Sequence, residues 1–171
     1  MKMRWLIFLA VGLMTTNAAA QRPTRQLTPE QIVARQAARQ AELAAAQRPI
    51  RALSSLWIEE LTWMEIRDAI RAGDTTALVL TGGVESNGPH LASGKHNYSN
   101  KLMGASIATA LGGTLIAPLV TLEPGNPSGP VTLGNTGPMV SQGTYIAWLT
   151  DIGDSLRGMG FRQVYFLGDS G

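Results

Sequence analysis

Residues 76–97 read TALVLTGGVESNGPHLASGKHN. Ala77 to Leu80 form an unbroken apolar run of strand length, as expected of a parallel strand buried on both faces, and Gly82–Gly83 end it. The strand empties into a loop rich in glycine and proline that gathers Glu85, Asn87, Asn97 and both histidines of the chain, His90 and His96. Such a loop is either a functional site or an extended turn.

The flanking segments fix the fold class. Upstream, TWMEIRDAIRAGD (62–74) opens with a Thr62/Glu65 capping-box pattern, carries Ile66, Ala69 and Ile70 on one face, and reaches Gly73 at the expected C-terminal stop, which predicts a helix. Downstream, Leu102, Ile107, Ala108 and Leu111 restore helical spacing over 98–111, and TLIAPLVTL (114–122) is a second buried strand broken by Pro118. The stretch EPGNPSGPVTLGNTGPM (123–139) reads as an ordered functional loop or a flexible insertion, interrupted by a short strand at Val131 to Leu133. A helix over 140–157 follows, with Ile146, Leu149, Ile152 and Leu156 expected inward, and FRQVYFL (161–167) is the third strand. Strands alternating with long helices imply βαβ units, and hence an α/β fold of three α/β/α layers around a mainly parallel sheet. In open sheets of this kind ligands lie beyond the carboxyl ends of the strands, where both the 81–97 loop and the closing GDSG (168–171) emerge.

The N-terminal part is different in character. MKMRWLIFLAVGLMTTNAAA (1–20) has Lys2 and Arg4 ahead of an apolar run and ends in Ala18 and Ala20, the pattern of a secretory signal peptide cleaved after Ala20. Its apolar run is short for a membrane span, which leaves an uncleaved amphipathic anchor as the other reading. A periplasmic or secreted location is the expectation. Residues 28–47 form a helix with Thr28 as N-cap and Pro29 at the first position, but its apolar stripe is mostly alanine, so a helical arm or linker (21–52) is expected ahead of a domain starting near Leu53.

Composition excludes several function classes. The formal net charge of +2 resides in Lys2 and Arg4, so the mature chain balances twelve basic against twelve acidic side chains and has no electrostatic footprint for nucleic acid. With no cysteine there are neither disulfides nor thiolate ligands, and any metal must be held by carboxylate, imidazole, amide or water.

The GDSG ending invites comparison with a serine-protease nucleophile at Ser170, but those enzymes are all-β barrels and the alternation of helix and strand refuses that context. Asp169 is the more informative residue, a carboxylate at a strand's carboxyl end. Glu85, His90, His96 and Asp169 are brought toward one rim by two strands, a mixture of oxygen and imidazole donors that suits Zn²⁺ or Mn²⁺. The same residues are also those that satisfy backbone donors in glycine-rich loops.

WIEELTWMEIRDAI, the strand into GGVESNGPHLASGKHN, APLVTLEPG and GFRQVYFLGDSG occur in the order and spacing of the creatininase family of metal-dependent amidohydrolases, which the chain resembles from about Leu53 to Gly171. Members carry a Glu-x-His-Gly-x-His-Leu-Pro loop, an Asp shortly beyond it and a later Gly-His-Gly-Gly stretch, and these bind two divalent ions. On that pattern Glu85 matches the first ligand and His90 the second loop histidine, whereas Asn87 stands in place of a metal-binding His, His96 in place of the bridging Asp and Asp169 in place of the later His.

The resemblance implies a hydrolase of a non-peptide C–N bond in a small amide or lactam, acting through a metal-activated water. Glu85, His96 and Asp169 would hold one or two divalent ions (Zn or Mn), His90 would brace the ligands from behind or carry protons, and Asn87 would meet the substrate. Because the loop is altered, creatinine itself is not the expected substrate. The other reading is an exported binding or interaction protein that kept the fold and lost hydrolysis. A homo-oligomer is also implied, as is a domain incomplete at its C-terminus, since the family's sheet continues beyond this chain. Gln163 to Leu167 would then be an edge strand with Val164 and Phe166 toward solvent.

Overall fold

The computed structural model describes residues 27–130, 132 and 137–168. The signal-peptide segment, Asp169, Ser170 and the strand expected around Val131 and Leu133 therefore lie outside the described residues. The chain divides into two units between Ala45 and Ala46.

In the first unit, helix α1 (Pro29–Ala45) buries none of its residues, as its alanine stripe predicts. The Gln31 amide donates to Thr28 Oγ1 at 3.3 Å and the Thr28 amide to Gln31 Oε1 at 3.0 Å, a reciprocal cap.

The second unit carries the site. A 3₁₀ turn (Ile58–Glu60) leads into α2 (Trp63–Ala72), followed by β1 (Thr76–Thr81), α3 (Lys95–Leu111), β2 (Thr114–Ile116), β3 (Pro124–Gly125), β4 (Val140–Ser141), α4 (Gln142–Met159) and β5 (Gln163–Gly168). The expected capping box of α2 is present, and Gly73 ends the helix in the left-handed conformation at φ 115°. Buried Glu65 also accepts from the Leu53 amide at 2.6 Å, fastening the entering chain to the helix start.

The main sheet is parallel with strand order β2-β1-β5, and Leu78 at its centre is in register with Ile116 on one side and Tyr165 on the other. Alternation along β1 builds two cores. Ala77 and Val79 face a cluster with Ile66 of α2 and Leu156 of α4, while Leu78 and Leu80 face Ala108 of α3 and Ile116. Helices thus cover both faces, in three α/β/α layers. Gly104 allows α3 to seat closely, because a Cβ there would collide with Leu80 Cδ1.

Several details depart from the sequence reading. Helix α3 starts at Lys95 rather than near Tyr98, with the Asn97 and Tyr98 amides donating to the Gly94 carbonyl, so His96 belongs to a helical turn instead of a loop. That turn faces polar groups and lacks the apolar spacing by which a helix start is recognised. Ile146 is 57% exposed, contrary to expectation, because the inward stripe of α4 is Tyr145, Leu149, Ile152 and Leu156. The short parallel pairing of β3 with β4 has no counterpart in the sequence reading. Pro118 does interrupt the second strand, yet contact with β1 resumes beyond it through the Val120 amide and the Leu80 carbonyl at 3.0 Å. Among the described residues β5 is an edge strand, with Tyr165, Phe166 and Leu167 exposed, but Val164 packs against the first core and is half-buried.

Candidate functional site

Resumed pairing past Pro118 brings the residues after β2 up beside the end of β1, where the Gly82 amide donates to the Val120 carbonyl at 2.8 Å. Two glycines then let three segments close on one another. A Cβ on Gly82 would strike Asn97 Oδ1, and a Cβ on Gly83 would stand 2.6 Å from Glu123 Oε2. The loop doubles back through Gly88, at φ +74°, and is closed by the Glu85 amide donating to the Ser93 carbonyl at 3.0 Å. Asn100 is 1% exposed and ties the first turns of α3 to the strand end by donating from Nδ2 to the Thr81 carbonyl at 3.1 Å. Since His96 lies one turn before Asn100 on the same helical face, the imidazole is directed to the same strand end.

Within this frame Glu85 is the hub. Its Oε1 lies 2.7 Å from Nε2 of buried His96 and accepts from Lys95 Nζ at 3.1 Å. The ammonium of Lys95 also donates to Asn87 Oδ1, and Asn87 Nδ2 donates to the Glu85 carbonyl at 3.1 Å. The hydrogen bond from His96, and next that from Lys95, hold the Glu85 carboxyl below the ordinary carboxylate range. Glu123 moves in the opposite direction. Burial pushes its carboxyl up, and the negative charge of Glu85 adds to this, against weaker opposing pulls from His96 and Lys95. The strand end is therefore a place of two carboxyls, one imidazole and one ammonium in mutual electrostatic contact.

Of the residues expected from sequence, Glu85 and His96 are in direct contact and Asn87 adjoins them through Lys95. His90 is exposed in the loop turn, and among the described residues no hydrogen bond or ion pair joins it to Glu85 or His96. Asp169 lies outside the described residues. No three His, Asp or Glu side chains among the described residues form a ligand group. Lys95 and Glu123 were missed. The first is the only lysine or arginine in the 76–97 stretch, and the second is the first carboxylate after the second strand, so each left a signal in charge and position.

Residues 59–171 match the family described as Creatininase: Creatinine amidohydrolase. The chain belongs to the creatininase family. Solved creatininases share its fold. One described as creatininase Mn superposes with a TM-score of 0.57 at 24% identity, covering 66% of this chain and 44% of its own. A mutant creatininase of Zn-Zn type gives 0.58 at 23% identity, covering 67% and 45%. A mutant creatininase complexed with creatine gives 0.56 at 23%, covering 66% and 44%. The chain thus spans less than half the length of these solved creatininases. No curated protein matches it.

The donor chemistry of this creatininase-family site suits a divalent ion in one respect and opposes it in another. A carboxylate and an imidazole paired at a strand end are ligands for zinc or manganese. Against this, the Lys95 ammonium already pairs with the same carboxylate.

Proposed function

We propose that the protein is an exported, metal-dependent amidohydrolase acting on a non-peptide C–N bond of a small amide or lactam. The observation that carries this reading is the Glu85 Oε1–His96 Nε2 contact of 2.7 Å at the carboxyl end of the central strand, in a chain of the creatininase family. Glu85 and His96, joined by Asp169, would hold a divalent ion of zinc or manganese. When bound, such an ion lowers the pKa of a coordinated water and polarises a carbonyl. The protein's own groups do the rest. Asn87, whose amide is already oriented by Lys95 and the Glu85 backbone, presents polar atoms to the substrate. His90, exposed at the loop tip, exchanges protons between the cleft and solvent. Glu123, whose carboxyl is raised by burial and by the charge of Glu85, stands at the strand end as a second acidic group.

The relative complexed with creatine supports a small substrate. A homo-oligomer and a mature start at Gln21 belong to the same reading, and N-terminal sequencing of exported protein beginning at Met1 would refute the latter. Among the described residues no helix is long and apolar enough to cross a membrane.

The test is metal content together with hydrolysis of a panel of small cyclic amides, with and without chelator. Purified protein should carry about one equivalent of divalent metal and lose hydrolysis on chelation. A Glu85→Gln variant should lose both. Metal-free protein that gains no activity with added zinc or manganese would leave the second reading, a binding protein without hydrolysis. The Lys95 cation on Glu85 and Asn87 is the observation that favours that reading.

A further inference from the structure

Lys95 is held at the site by more than proximity. Its Nζ donates to Glu85 Oε1 at 3.1 Å and to Asn87 Oδ1, and Asn87 is itself braced by its bond to the Glu85 carbonyl. The side chain is 29% exposed, so the charge sits partly sheltered at the start of α3. An ammonium gripped by a carboxylate oxygen and an amide oxygen occupies the same kind of position as a metal ion between two oxygen ligands.

We propose that the Lys95 ammonium is a built-in cation of this site, competing with a divalent ion for the Glu85 carboxylate. The proposal rests on the reading that Glu85 is a metal ligand. The chain then carries part of the site's positive charge covalently, on Lys95. Two consequences follow from charge alone. Glu85 remains compensated when no metal is bound, and an entering divalent ion meets repulsion from a like charge that displacement of the lysine relieves.

The decisive experiment measures Mn²⁺ affinity by electron paramagnetic resonance in the full chain and in the Lys95→Met and Lys95→Arg variants. A metal-free arm in EDTA runs a thermal-stability cycle of Glu85→Gln, Lys95→Met and the double substitution. Lys95→Met should bind Mn²⁺ at least about tenfold more tightly, whereas Lys95→Arg, which keeps the charge, should not. In EDTA the two substitutions should be non-additive, each costing less in the presence of the other. An unchanged or weakened affinity in Lys95→Met would overturn the competition, and so would tighter binding in Lys95→Arg. Additive effects in EDTA would likewise overturn it. If no variant binds Mn²⁺ but the cycle is coupled, the metal reading under the proposed function fails while Lys95 stands as the site's resident cation.

Discussion

Glu85 Oε1 and His96 Nε2 lie 2.7 Å apart although eleven positions separate them in the chain, and this contact ties the loop after β1 to the first turn of α3. Because the His96 and Lys95 hydrogen bonds lower the Glu85 pKa from an ordinary value of 4.5, their contribution to stability is complete above that value. It disappears as pH falls through the lowered folded value. The Glu85 amide, which donates to Ser93, should accordingly lose hydrogen-exchange protection in that acid window. In Glu85→Gln the protection should be low and independent of carboxylate titration. Wild-type protection that stays constant through the window would contradict the argument.

Glu123 makes the opposite prediction. Its carboxyl is raised above 4.5, chiefly by burial, so the folded state favours the proton and stability falls as pH rises through the folded value. Glu123→Gln should raise the melting temperature at pH 7 and leave it unchanged at pH 4. A lower melting temperature at pH 7 would mean that the carboxylate is needed there as an anion.

The third prediction concerns packing. Gly104 sits in a buried position of α3 where a Cβ meets Leu80, itself 1% exposed. Gly104→Val should cost about 1–3 kcal/mol through overpacking, measured by denaturant unfolding. Stability equal to wild type would show that α3 can move off the sheet without penalty.

How much of this was legible in the sequence depended on which force shaped each element. The β1 run, the Thr62/Glu65 box and Gly73 were readable because burial and capping leave local patterns. The first turn of α3 was not, since Lys95, His96 and Asn97 face a polar cleft and follow no apolar period. The same cause hid the site's charge balance. Glu85 and His96 were expected together with Asp169, but Lys95 and Glu123 enter only through tertiary approach, which Gly83 permits for Glu123. Tyr145 displacing Ile146 from the α4 stripe is a one-residue rotation that hydrophobicity alone does not resolve.

The central claim is that Glu85 and His96 are ligands of one divalent ion, and anomalous diffraction at the zinc absorption edge from crystals grown with Zn²⁺ tests it most directly. The account predicts a peak about 2.0–2.2 Å from a Glu85 carboxylate oxygen and from His96 Nε2. A Glu85–His96 contact still closed at 2.7 Å with no peak beside it, or a zinc peak bound elsewhere, would contradict it.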